Sequence, residues 1–218
     1  MTTKNSTSKK LLLHLSLIFS ALAFSQPSLA TLTIGESAEI IPQNTYQLGL
    51  EPTFMTGDGE GFNMGVFGDL PINESSSARF GLGTGGLDVF LSGSYKFVPY
   101  PDLDSQPAIG GKVSVIYVKD QDVSQAIFRL APIVSKKYPI DPGLITPYGS
   151  IPIMVTNTDS KTVVGTSLVA GTEFIHNDLK NFKFGTEISV DINDGFGYIS
   201  LMVGMPFDEE FRFKGRGN

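Results

Sequence analysis

From Tyr46 onward the chain alternates. Tyr46, Leu48, Leu50, Pro52 and Phe54 fall on one face of an extended segment, with Gln47, Gly49, Glu51 and Thr53 on the other, the period of two that a β-strand imposes. The pattern recurs with Phe62, Met64 and Val66, then Ala78, Phe80 and Leu82, then Val89, Leu91, Tyr95 and Phe97. It continues through Ile109, Val113, Val115 and Tyr117, through Phe128, Leu130 and Val134, and through Ile145, Ile151, Ile153 and Val155. Val164, Leu168, Ala170 and Phe174, then Phe182, Phe184, Ile188 and Val190, and last Ile199, Leu201, Val203, Met205 and Phe207 complete ten segments. Turn-forming runs separate them, among them Asn73-Glu74-Ser75, Asp141-Pro142-Gly143 and Asn193-Asp194-Gly195. Ten short strands with an alternating signal predict an all-β chain, and an even count suits a closed antiparallel transmembrane β-barrel of about ten strands, within a range of eight to twelve.

A soluble β-sandwich shares that period, so alternation alone leaves two architectures open. The placement of aromatic residues favours the barrel. Tyr46, Phe54, Phe62, Phe97, Tyr117, Phe174, Phe182 and Phe207 sit near strand ends, where girdles at two membrane interfaces require them. The faces opposite the apolar ones carry both signs of charge: Glu51, Asp69, Asp88, Glu173 and Glu187 against Arg79, Lys96, Lys112, Arg129 and Lys183. In a narrow barrel these ten side chains face the lumen, where desolvation obliges them to pair across strands and plug it. In a sandwich they would be solvated outer residues. Pro52, Pro132, Pro147 and Pro152 fall inside the proposed strands. Each removes a ladder donor, so bulges, strand ends or a miscounted strand are expected there.

The chain's start bears on compartment. Lys4, Lys9 and Lys10 precede an apolar run from Leu11 to Phe24, and Ser28-Leu29-Ala30 offers a small-residue cleavage site, the three parts of a secretory signal peptide over residues 1–30. Processing there would start the mature chain at Thr31, with an N-terminal segment over 31–43, the barrel over 44–207 and a tail over 208–218. It would leave 13 basic against 22 acidic side chains, the wrong balance for nucleic acid. No cysteine is present, which excludes disulfides, thiolate metal sites and cysteine nucleophiles. His176 is the one histidine after the leader and falls in a proposed turn, so little supports catalysis. The run Gly81, Gly83, Gly85, Gly86 follows strand periodicity and is no phosphate loop. No cofactor or metal is expected, and the chain reads as a non-enzyme. A soluble periplasmic binding sandwich and an outer-membrane hydrolase remain the alternatives.

The last strand, alternating through Ile199, Leu201, Val203 and Met205 to a closing Phe207, resembles the C-terminal assembly signal of bacterial outer-membrane β-barrels. Thr146-Pro147-Tyr148-Gly149 and Gly171-Thr172-Glu173-Phe174 are similar to short strand motifs of small barrel families. The chain departs from the pattern by continuing from Asp208 to Asn218. The resemblance implies a Gram-negative outer membrane, with its lipids and the barrel-assembly machinery as partners and a porin-like or structural role. It also implies termini on the periplasmic side and odd-to-even connections facing outward. Asp58, Glu60, Asp120, Asp122, Asp159, Asp191 and Asp194 would then form an acidic rim at the outer mouth, attracting cations or remaining ordinary turn residues.

Overall fold

In a computed structural model, residues 33–56, 61–86, 88–120, 123–158 and 161–208 are described; the expected leader over residues 1–30 and the tail beyond Asp208 lie outside them. Among the described residues twelve strands follow in order: β1 (Thr45–Thr56), β2 (Gly61–Asn73), β3 (Ser76–Gly85), β4 (Val89–Tyr100), β5 (Ala108–Asp120), β6 (Val123–Ser135), β7 (Tyr138–Ile140), β8 (Gly143–Ser150), β9 (Ile153–Thr158), β10 (Lys161–His176), β11 (Lys183–Asn193) and β12 (Gly197–Asp208). Each pairs antiparallel with its neighbours, and β1 closes on β12 from Thr45↔Asp208 to Thr56↔Gly197. The result is a closed barrel of ten staves, because β8 and β9 share one stave and β7 only extends the edge of β8. Closure satisfies the backbone donors and acceptors without an exposed edge.

Two prolines explain the divided stave. Pairs Ile133↔Ser150 and Leu130↔Ile153 keep one register across the gap, and so do Val169↔Ser150 and Thr166↔Ile153 on the other side. The ladder therefore breaks without slipping, with Pro132 and Pro152 at the break. Neither has an N–H to donate. The Pro152 carbonyl instead accepts from the Thr166 hydroxyl at 3.0 Å. Pro147 sits where β6 has just stopped pairing, at Ser135↔Tyr148. Pro52 keeps its pairing with β2 at Met64, whereas the β1–β12 ladder is interrupted between Leu50 and Thr53.

The burial pattern is inverted relative to a soluble protein. Leu48, Leu50, Phe80, Leu82, Leu91, Val115, Phe128, Leu168, Ile188 and Leu201 face outward and exposed, while Gln47, Asp69, Lys96, Lys112, Arg129 and Glu187 face inward and buried. An apolar surface this continuous is stable only against an apolar solvent, and lipid tails are one. Aromatic pairs mark the ends of the belt: Tyr46 stacks on Phe207 at one end with centroids 5.8 Å apart, and Phe54 meets Phe62 at the other at 5.0 Å.

Candidate functional site

The inward faces form three layers. Toward the hairpin end, Met55, Phe90, Ile116, Val118, Ile127, Met154 and Tyr198 make an apolar layer. The middle is charged. Toward the mouth where β1 begins, Val98, Ala108, Ala131, Ile133, Tyr148 and Val169 pack against Ile34 and Ala38 of the N-terminal segment. That segment, Thr33 to Ala38, is buried throughout, and Ile34 and Ser37 are wholly so. It lies inside the barrel.

The charged wall holds the segment largely by its backbone. Glu187 Oε1 accepts the Ile34 N–H at 2.8 Å and Oε2 the Gly35 N–H at 2.9 Å. Its remaining lone pairs take the Tyr198 hydroxyl at 2.5 Å and the Tyr148 hydroxyl at 2.6 Å, so a carboxylate with zero exposure is fully coordinated. Glu173 does the same for Ser37, accepting its N–H at 3.0 Å and its hydroxyl at 2.8 Å, while Lys183 approaches to 3.1 Å. On the opposite side cations reach the segment's carbonyls. Arg129 Nη2 donates to Thr33 at 2.6 Å, Lys112 Nζ to Ile34 at 2.7 Å, Arg79 Nη1 to Gly35 at 2.7 Å and Lys96 Nζ to Ser37 at 2.9 Å. Charge-assisted bonds of this kind offset the cost of taking each ion out of water.

One side chain of the segment completes the set. Glu36 carries its carboxylate to 2.6 Å from Lys96 Nζ and 2.7 Å from Lys112 Nζ, with Arg79 Nε at 4.0 Å. Arg79 also grips Asp69 through Nε at 2.5 Å and Nη2 at 2.8 Å, and Asp69 accepts from Gln47 at 3.0 Å. The guanidinium lies 4.1 Å over the Phe67 ring, a cation–π contact. Glu51 accepts from the Ser200 hydroxyl at 3.4 Å.

Nine of the ten charges expected at the lumen therefore face inward: Glu51, Asp69, Arg79, Lys96, Lys112, Arg129, Glu173, Lys183 and Glu187. Asp88 does not. It is exposed in the β3–β4 turn, where its carbonyl accepts from the Thr84 hydroxyl at 2.7 Å, because β4 starts one residue later, at Val89. The absence of Asp88 from the wall changes its charge balance. Without Asp88 the wall has five basic and four acidic side chains, and the missing negative charge is Glu36, on a segment with no strand periodicity to attract attention. The excess of one basic side chain on the wall is the sequence signal for an acidic partner elsewhere in the chain.

Backbone conformation and space both fix Gly35. Its φ is +67°, and a Cβ there would stand 2.5 Å from Arg79 Nη1 and 3.1 Å from Glu51 Oε1. Glycine on the wall has a packing role as well: a Cβ on Gly171 would lie 2.3 Å from the Tyr148 ring on the next strand, so the bare backbone makes room for the tyrosine that reaches Glu187.

At the hairpin end Asp120, Asp191 and Asp194 lie in or beside the turns; Asp58, Glu60, Asp122 and Asp159 fall outside the described residues. The Asp191 carboxylate accepts the Gly195 N–H at 2.7 Å, the work of an ordinary turn residue. Among the described residues no group of three or more His, Asp or Glu side chains could hold a metal ion. His176 closes its own turn, Nδ1 accepting the Asp178 N–H at 3.0 Å. At the opposite mouth Lys136 and the Lys137 N–H bind Asp102, tying the β4–β5 loop to the end of β6. Burial raises the Asp102 carboxyl, but these donors outweigh it and hold it below the usual range.

No protein family matches the chain, and no curated protein matches it in sequence. Solved structures do. The translocator domain of autotransporter NalP from Neisseria meningitidis is similar at 12% identity over 94% of this chain and 98% of that one, with a TM-score of 0.50. The β domain of the Bordetella autotransporter BrkA follows at 9% identity over 75% and 98%, TM-score 0.44, and the attachment invasion locus protein Ail of Yersinia pestis at 10% over 76% and 100%, TM-score 0.25. The likeness to the NalP domain is one of fold. Together with the inverted burial pattern, it identifies the architecture as that of an outer-membrane β-barrel.

Proposed function

We propose that this chain is a sealed barrel of the bacterial outer membrane, with a structural role there, whose lumen is closed by its own N-terminal segment. The observation that carries the reading is the set of bonds from Glu187, Glu173, Arg79, Lys96, Lys112 and Arg129 to the backbone of residues 33–37. A barrel that conducts solutes leaves its wall charges to water. Here they are used on peptide. In the middle of the lumen the space bounded by Thr33, Arg79, Lys112 and Arg129 is about 30 Å³, room for a water and not for a solute path.

Export through a leader over residues 1–30 fits this reading, since cleavage after Ala30 would leave the new N-terminus two residues before Thr33. So do outer-membrane lipids as the belt's solvent and insertion by the barrel-assembly machinery. A catalytic role finds no support in the sole histidine of the described residues, which caps a turn.

Planar-bilayer recording tests the seal. The intact protein should insert without steady current, and an ohmic, long-lived conductance from it would overturn the reading in favour of a small-solute pore. Recovery of the processed chain from the outer-membrane fraction, migrating faster in detergent gels before boiling than after, is expected alongside.

A further inference from the structure

At the mouth beside the N-terminal segment the lumen changes character. On β8 the inward position after Thr146 is Leu144, and on β10 the one after Glu173 is Ile175. With Ile41 of the segment, and with Phe182 at the edge, they line a cavity of about 480 Å³. That volume lies inside the range of small-molecule sites. Apolar walls are a poor host for water, and an apolar inward face at a barrel mouth has no role in a lumen that only needs to be polar or packed.

The charge around it is specific. Three lysines and two glutamates line the cavity. Lys137 is paired with Glu39 and Lys183 with Glu173, so Lys180 is left with no acidic partner among the described residues. The wall carries one surplus positive charge beside an apolar slot.

We propose that this cavity binds one single-chain anionic amphiphile, its head on Lys180 and its chain along Leu144, Ile175 and Phe182. The residues that follow Asp208 begin nearby, since Asp208 pairs with the cavity residue Thr45. Positions 209–218 carry three basic and two acidic side chains, so the stretch as a whole brings no net negative charge to Lys180, and deleting it tests whether Glu209 or Glu210 serves as its partner. The site is independent of whether the lumen conducts.

Calorimetry on protein purified from membranes and exchanged into amphipol, titrated with laurate, tests this. One saturable site per chain is expected. Lys180→Glu in its exposed turn should weaken binding roughly tenfold, about the value of one charge-assisted hydrogen bond. Dodecanol, with the same chain and no charge, should lose a similar factor, and so should laurate against Ile175→Asn. Lys119→Glu at the far mouth should leave the affinity unchanged. Absence of saturable binding, equal affinity in Lys180→Glu, or a roughly tenfold gain on deleting residues 209–218 would each overturn the proposal, the last by showing that the tail already occupies the slot.

Discussion

Glu36 offers the sharpest test of how the lumen is held. Replacing it with glutamine keeps the size of the side chain and one carbonyl oxygen but removes the charge facing Lys96 Nζ at 2.6 Å and Lys112 Nζ at 2.7 Å. Breaking a buried ion pair by deleting one partner costs ~3–5 kcal/mol, because the survivor stays buried and uncompensated. Lys96 would keep the carbonyls of Ser37 and Glu39, and Lys112 that of Ile34, which places the loss near the low end, about 3 kcal/mol. Urea titration of the protein in lipid vesicles would read it. With a slope of ~1–3 kcal/mol per molar, the unfolding midpoint should fall by roughly 1–3 M. A second change, Lys112→Met on top of Glu36→Gln, restores four charges of each sign and should recover about 1 kcal/mol or more if the penalty is an uncompensated cation. A loss under about 0.5 kcal/mol for Glu36→Gln, the size of an ordinary surface substitution, would refute the claim that the segment completes the charge set.

Two further outcomes probe the backbone and the belt. Gly35→Ala must strain a residue at φ +67° and push a methyl to 2.5 Å from Arg79 Nη1, so the same titration should show a loss of about 1–3 kcal/mol; an unchanged midpoint would mean the segment is not held in this conformation. Val115→Arg places a cation at the centre of β5, on the outward face where Val115 is 58% exposed. It should cost about 2–4 kcal/mol in vesicles if that face meets lipid, whereas a water-facing sheet would accept the arginine with little change.

Much of the architecture was legible from the period of two. The outward positions assigned from Leu48 through Leu201 depended only on alternation, and all but Phe182, which precedes β11 and lines the mouth cavity, came with it together with nine of the ten inward charges, because a strand has two faces and a one-residue slip would have reversed them all. Asp88 failed for a local reason: a period extended one residue beyond a strand end carries no force once the chain turns. The inward apolar layer was invisible for a different one. Phe90, Ile116, Val118, Ile127 and Met154 adjoin outward apolar residues, and two apolar faces blur the very contrast on which the reading relies. Pro132 and Pro152 announced a break, but not that the register would survive it, since that depends on neighbours held fixed from both sides.

What lay in the sequence by itself was the identity of the strands, the inversion of their faces and the presence of charge of both signs in a small space. Only the tertiary structure decided where that charge goes. Thr33 to Ala38 show no period and no motif, and their fit depends on Glu187, Glu173, Arg79, Lys96, Lys112 and Arg129, which arrive from six different strands. Strand pairing is set between neighbours along the chain. A lumen is set by all ten staves at once, and the segment that occupies it can be recognised only after the wall has closed.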